Sequence, residues 1–114
     1  MQKITTTPGS DNIDTFDAID STGALYPLDA VTRIDVAIIS ERAALSGGVL
    51  RISTTDTPPA VSFSGSTISV RFGALSPYRG TYYPQIIVYD ANNPDGVVIA
   101  GEGYPAEILL KVDA

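Results

Sequence analysis

Four segments of the chain alternate apolar and polar residues with a period of two, and no segment shows a convincing helical period. These segments are residues 32–40, 67–72, 82–88 and 107–112. Because successive side chains of a strand point to opposite faces of a sheet, this period predicts antiparallel strands with one buried face. The expected inward residues are Ile34, Val36, Ile38, Ile68, Val70, Phe72, Tyr82, Ile86, Val88, Ile108, Leu110 and Val112.

Shorter signals fill the remainder of the chain. Further strands are predicted at residues 2–6, 15–19, 24–26, 49–53, 60–63 and 97–100. Residues 64–66 and 92–96 are rich in Gly, Ser, Asn and Pro, which favour turns. One helical turn is expected at residues 41–45, and Pro84 predicts an edge or a bulge near the start of its strand. On the first strong strand, Arg33 and Asp35 alternate with the inward residues and are expected on the polar face.

The spacing of these elements indicates the fold class. Seven to nine short strands with a turn signal about every ten residues are typical of an antiparallel immunoglobulin-like β-sandwich. A small closed barrel is the alternative architecture. The 114 residues predict one domain, with a less regular N-terminal segment and hairpin at residues 1–30 and the sandwich core at 31–114. The chain lacks the Cys and Trp residues of antibody domains, so only the architecture is predicted.

Composition removes most catalytic chemistry. The chain contains no Cys and no His, which excludes disulfides, thiolate metal sites, cysteine nucleophiles and the Ser-His-Asp triad within one chain. No phosphate-binding glycine loop and no paired-carboxylate motif is present. We therefore expect a protein that is not an enzyme and that carries no cofactor.

Charge and hydropathy restrict the partners. Thirteen acidic and seven basic residues give a net charge of −6, which argues against binding to nucleic acid, because that binding depends on cationic neutralisation of phosphates. No apolar run approaches the roughly 20 residues that span a bilayer, so no membrane association is expected. Residues 1–5 lack the apolar core of a signal peptide, which predicts synthesis in the cytoplasm.

Two acidic segments raise the question of calcium. Asp11, Asp14, Asp17 and Asp20 recur at every third position, and residues 90–96 contain Asp90, Asn92, Asn93 and Asp95. Oxygen ligands suit calcium, but the first spacing does not match an EF-hand and turn chemistry accounts for the second. Solvated loop carboxylates are the favoured interpretation of both, and no metal ligand is assigned.

An apolar and aromatic set on the polar faces of late strands is the candidate interface. Tyr83, Ile87 and Tyr89 alternate with the inward residues of one strand, and Leu109 lies on the polar side of the last strand. If these strands are adjacent, the four residues form a patch for a partner, since tyrosine is enriched at interfaces. Scattered surface apolar residues are the alternative.

Several stretches resemble a known group of proteins. RFGAL at 71–75, GTYYPQIIVYD at 80–90, NPDGVV at 93–98 and VTRIDV at 31–36 are similar to small immunoglobulin-like proteins and domains of tailed-phage virions, including the N-terminal domains of some baseplate upper proteins. The shared outline is a Gly-x-Leu step, a Gly-x-Tyr strand ending in Tyr-Asp, a turn and a closing strand. It covers residues 31–112 and implies a structural role without catalytic residues.

The sequence thus predicts a non-enzymatic interaction module of a bacteriophage virion. It would be either a capsid decoration protein or an accessory protein of the head–tail region, the tail or the baseplate. Its partners would be other virion proteins, and an uncovered edge strand would also allow a homo-oligomer. The alternative is a carbohydrate- or cell-surface-binding β-domain, with calcium assistance from the acidic loops.

Overall fold

The structure is a computed structural model that describes residues 2–7, 11–20, 22–39, 49–75, 80–101, 104 and 106–112. These residues form ten β-strands and one 3₁₀ helix of four residues, Phe72–Leu75. The strands are β1 Gln2–Thr6, β2 Asp14–Asp17, β3 Val31–Ile39, β4 Val49–Ser53, β5 Val61–Ser64, β6 Thr67–Val70, β7 Gly80–Tyr82, β8 Gln85–Asp90, β9 Asn93–Ala100 and β10 Ile108–Val112. The all-β prediction is confirmed, whereas ten strands exceed the predicted seven to nine.

The strands form three sheets, in the orders β1-β10-β7, β2-β6-β5 and β4-β3-β8-β9. Every strand pair is antiparallel except the pairing of β1 with β10, which is parallel. The four-stranded sheet contains the longest strand, β3, between β4 and β8. Within the described ranges, no helix is long and apolar enough to cross a membrane.

The strand predicted around residues 82–88 is interrupted at Tyr83 and Pro84, which separate β7 from β8. Pro84 predicts an edge or a bulge, whereas the structure has a break between two strands at this point, because proline cannot donate to a ladder. The first part, β7, pairs with β10, and the second part, β8, pairs with β3 and β9. Both β9 and β10 therefore run antiparallel to successive parts of one stretch of chain.

Three local predictions need correction. Residues 93–96 belong to β9, and the hairpin reverses earlier, where the Oδ1 atom of Asp90 accepts hydrogen bonds from the backbone amides of Asn92 (2.9 Å) and Asn93 (2.8 Å). Phe72 lies in the 3₁₀ helix and not in a strand, although it is fully buried. Residues 24–26 contribute a single bridge, between Leu25 and Ile19. The helical turn expected at 41–45 lies outside the described residues.

The core agrees closely with the alternation in the sequence. All twelve residues that were expected to point inward are buried, and they form one cluster that includes members of all three sheets. Phe72 stacks against Phe16 of β2, with ring centroids 6.5 Å apart. The prediction for the opposite face of β3 is wrong at Asp35 and Ala37, which are also buried. On that face Asp35 is flanked by Arg33, Arg51 and Ile87, and Ala37 lies opposite Arg51.

Candidate interaction surface

Asp35 is a carboxylate buried in the middle of the four-stranded sheet. It lies at the centre of β3, where its neighbours across the sheet are Ser53 of β4 and Ile87 of β8. Only 3% of its side chain is exposed. A buried carboxylate is costly unless charged or polar groups compensate for lost water, so its partners determine whether this site is stable.

Two arginines provide that compensation in different ways. The Nη1 atom of Arg51 donates a hydrogen bond to the Oδ2 atom of Asp35 over 3.1 Å. The Nε atom of Arg33 lies 3.3 Å from the Oδ1 atom of Asp35, yet in the described structure both atoms are buried without a hydrogen-bond partner. Arg33 and Asp35 therefore attract each other as charges without the alignment of a hydrogen bond.

Arg33 also covers an aromatic ring. Arg33 and Tyr89 are paired across β3 and β8, and the guanidinium carbon lies 3.8 Å from the centre of the Tyr89 ring. This distance is well within the range of a cation–π interaction. A hydrogen bond with the Tyr89 side chain and the charge of Asp35 raise the pKa of Arg33, so its guanidinium stays charged.

Gly96 on β9 makes room for this arrangement. It has a φ of +88°, and a Cβ atom at this position would lie 2.6 Å from Cγ2 of Ile87 and 2.8 Å from Cε2 of Tyr89. Both side chains thus pack directly over the backbone of β9, which only a glycine permits. The Tyr89 ring is held between this glycine and Arg33, and its position on the sheet is restricted.

Together Arg33, Asp35, Arg51 and Tyr89 form a surface that we name the arginine–tyrosine cluster. It lies on the face of the four-stranded sheet opposite the core. The side chains of Arg33 and Arg51 are 40% and 44% exposed, and they share one buried carboxylate. One positive charge is therefore left over on a protein whose net charge is −6. Guanidinium groups fixed in this way can bind carboxylates or phosphates through two parallel hydrogen bonds.

The structure separates the four residues predicted as an interface. Ile87 lies beside Tyr89, which belongs to the arginine–tyrosine cluster, although Ile87 is only 9% exposed. Tyr83 is 37% exposed and lies in the break between β7 and β8. Leu109 is half-buried on β10 and pairs with Lys3 of β1. Because Tyr82 of β7 is opposite Leu110 of β10, Tyr83 lies next to Leu109, one step further along this register. β8 pairs instead with β3 and β9, so Ile87 and Tyr89 lie in a different sheet and the four residues form two pairs and not one patch.

The sequence interpretation missed Arg33, Asp35 and Arg51 as a functional group. Arg33 and Asp35 were assigned to a polar face, which is correct for the direction of their side chains but not for the burial of Asp35. The available signal was the presence of three charged residues at alternate positions of two strands rich in Val and Ile. That signal becomes specific only with the register that sets Ala37 opposite Arg51 and Asp35 opposite Ser53.

The acidic loops use their oxygens in turns. The Oδ1 atom of Asp20 accepts hydrogen bonds from the hydroxyl of Thr22 (2.6 Å) and from the amides of Thr22 (2.8 Å) and Ala24 (3.1 Å). These bonds, led by that of the Thr22 side chain, lower the pKa of Asp20, while burial raises that of Asp14. Asp11 lies 3.6 Å from Arg71. In the described part of the chain, no three acidic side chains are grouped to hold a metal ion.

Comparison of the chain with protein-family models, with curated proteins and with solved structures finds no match.

Proposed function

We propose that this protein is a non-enzymatic structural module of a bacteriophage virion that binds other virion proteins, capsid or tail components, through the arginine–tyrosine cluster. The observation that carries the proposal is the fixed geometry of that cluster, in which two half-exposed arginines share the buried carboxylate of Asp35 and one of them covers Tyr89. The protein would be made in the host cytoplasm and reside in the virion.

The chemistry of the cluster is that of a protein–protein contact. Arginine and tyrosine are the residues, with tryptophan, that most often dominate binding energy at interfaces. They are effective when little side-chain freedom is lost on binding, and here ion pairing and stacking have already restricted both residues. The central strands of a sheet provide a rigid base for such a site.

The order of the strands supports an immunoglobulin-like sandwich. The order β2-β6-β5 corresponds to strands B, E and D of that architecture, and β4-β3-β8-β9 corresponds to C′, C, F and G. On this assignment β7 is the start of strand F and β10 continues strand G beyond residues 101–107. The arginine–tyrosine cluster would then lie on the outward face of the C′CFG sheet. This agrees with the resemblance of residues 31–112 to immunoglobulin-like virion domains.

Binding to particles tests the proposal directly. Purified protein is added to particles of the phage that encodes it, assembled without its gene, and bound protein is measured by sedimentation. We expect saturable binding that falls about tenfold or more in Arg51→Glu, since that change reverses a charge at the contact. Ser62→Glu, on an exposed position of β5, is the matched control. Equal binding of all three proteins would overturn the role of the cluster, and no binding to any particle would overturn the virion role.

A carbohydrate- or cell-surface-binding domain has less support. Sugars stack on open aromatic faces, whereas one face of the Tyr89 ring is covered by Arg33. Light scattering and thermal melting with and without calcium separate the two functions. A protein whose oligomeric state and melting temperature are unchanged by calcium fits the virion module, whereas stabilisation by calcium together with binding to a glycan array would favour the alternative.

A further inference from the structure

A groove runs beside the free edge of β9. It has a volume of about 210 Å³ and lies between β9 and the short hairpin that connects β2 to β3. Its walls are mostly apolar and are formed by Ile19, Tyr26, Val97, Val98, Ile99 and Tyr104. Tyr104 is exposed at its rim. A smaller crevice beneath it reaches towards Phe16 and Ile68 of the other sheet, so the groove opens at the side of the molecule where two sheets end.

Among the described residues, two sheets end at this side in a strand that has no partner strand on its outer edge. In the described part of the chain, β9 has β8 on one side and only a single bridge, between Ala100 and Ala106, on the other. β2 is likewise the last strand of its sheet. The backbone groups on the outer edge of β9 need hydrogen-bond partners, and an extended polypeptide is the chemical group that matches their spacing.

The charged side chains on the described residues of the groove and of its two edge strands nearby are acidic. Asp20 is the charged residue of its lining, and its turn hydrogen bonds keep it ionised at neutral pH. Asp17 of β2 and Asp95 of β9 are exposed near the two edges. An apolar floor between carboxylates favours an occupant with apolar side chains in its centre and basic side chains at its ends.

We propose that this groove binds an extended segment of another protein that is apolar in its centre and basic at its ends, and that adds a strand to β9. A second copy of this chain is a poorer occupant, because pairing two β9 edges would place the acidic rims of both copies along one seam. The groove is separate from the arginine–tyrosine cluster, so this inference does not depend on the proposed function.

Peptides of defined chemistry test the inference. The probe is a set of heptapeptides Lys-X-Thr-X-Thr-X-Lys, where each X is Val, Ile, Leu, Phe or Tyr, and the readouts are NMR shifts of labelled protein and protection of amides 97–100 from hydrogen exchange. We expect at least one peptide to bind with shifts centred on β9 and Tyr104. Replacing both Lys by Glu, or the central X by Pro, should weaken binding about tenfold or more, through lost charge attraction or a lost ladder bond.

Variants of the chain locate the binding. Tyr104→Ala removes an exposed wall of the groove without changing a strand, and Val98→Glu adds a charge to the edge itself. Each should weaken the peptide about tenfold, whereas Ser62→Glu on β5 should leave it unchanged. The inference is overturned if no peptide shifts residues 97–100, if all variants bind equally, or if the protein dimerises through β9 in light scattering and Val98→Glu makes it monomeric.

Discussion

At the scale of single residues, two glycines with nearly the same φ should respond differently to substitution, because their surroundings differ. Gly23 and Gly96 have φ values of +86° and +88°, which disfavour any residue with a Cβ atom. Around Gly23 nothing lies within 4 Å of an added Cβ, whereas at Gly96 the same atom would overlap Ile87 and Tyr89. The two glycines thus separate backbone strain from steric overlap.

We predict that Gly23→Ala lowers the free energy of unfolding by about 1 kcal/mol, from backbone strain alone. Gly96→Ala should lower the free energy of unfolding by roughly 1–3 kcal/mol more than Gly23→Ala does, because the neighbouring side chains must move. Urea denaturation of both variants measures the difference. Gly96→Ala should also weaken particle binding, since Tyr89 is displaced. Equal destabilisation by the two substitutions would mean that Ile87 and Tyr89 do not pack over Gly96.

Asp20 makes stability depend on pH. Its turn hydrogen bonds, that of the Thr22 side chain first, lower its pKa in the folded protein below the ordinary 3.8. A lowered folded pKa stabilises the protein above the unfolded pKa, and this contribution is lost as the pH falls through the folded pKa.

We therefore expect Asp20→Asn to be less stable than the parent protein at pH 6, with the gap narrowing as the pH falls below about 4. Urea denaturation at a series of pH values measures this gap. Asp29→Asn, at an exposed turn residue, gives the background effect of removing one carboxylate. A gap that stays constant down to pH 2 would show that the Asp20 turn is not linked to its ionisation.

At the scale of elements, β1 is an edge strand that buries alternate side chains, of which Ile4 is the large apolar one. Ile4 is buried against the core and is paired with Leu110 of β10, whereas the next residue, Thr5, is exposed and is paired with Lys111. The strand is held by its ladder with β10 and by burial of one face. Its attachment should therefore be sensitive to the inward position and tolerant at the outward one.

We predict that Ile4→Ala lowers the free energy of unfolding by about 2–4 kcal/mol, from lost burial and the cavity that remains. Thr5→Ala, the matched control one residue further along, should change it by less than about 0.5 kcal/mol. Chemical denaturation gives both values. Similar losses in the two variants would mean that β1 does not bury its inward face.

At the scale of the whole molecule, one core joins all three sheets. The buried cluster includes Ile4 and Leu110 from the first sheet, Ile68 from the second, and Ile34 and Val88 from the third. No sheet buries its inner face without the others. The single domain predicted for residues 1–114 should therefore unfold as one unit, since domains of this size with one core are usually two-state.

We expect urea unfolding curves from far-UV circular dichroism and from tyrosine fluorescence to coincide. Ile4→Ala should shift both curves to the same lower midpoint, because the N-terminal strand belongs to the common core. Phe63→Leu on β5, in a different sheet, provides the comparison: its half-buried ring packs against the same cluster, so both of its curves should also move together. Two separate transitions, one of them confined to the N-terminal strands, would contradict a single cooperative unit.

Local sequence patterns were sufficient to predict most of the strands and inward positions. Residues 2–6 and 49–53 were located without error, and the twelve inward residues of the four alternating segments are buried, because the period of two is a local property of the chain. Of Leu50 and Ile52, which the pattern also directs inward, Ile52 is buried and Leu50 is half-buried. An irregularity at Pro84 was also predicted, as an edge or a bulge, from the missing amide hydrogen, but not the division into two strands of different sheets. Local patterns could not show that residues 93–96 belong to β9, because the pairings of Asn93 with Asp90 and of Val97 with Val88 include residues 94–96 in the strand as an irregularity of its register.

The surfaces of the molecule depend on how distant strands pair. Tyr83, Ile87, Tyr89 and Leu109 do not form one patch, because strand order is set by contacts between distant segments and places β8 and β10 in different sheets. The arginine–tyrosine cluster depends on the register that brings Arg51 of β4 and Tyr89 of β8 to either side of β3. The edge groove depends on which strands remain unpaired. Such features arise from long-range pairing, which leaves no periodic trace in a single sequence.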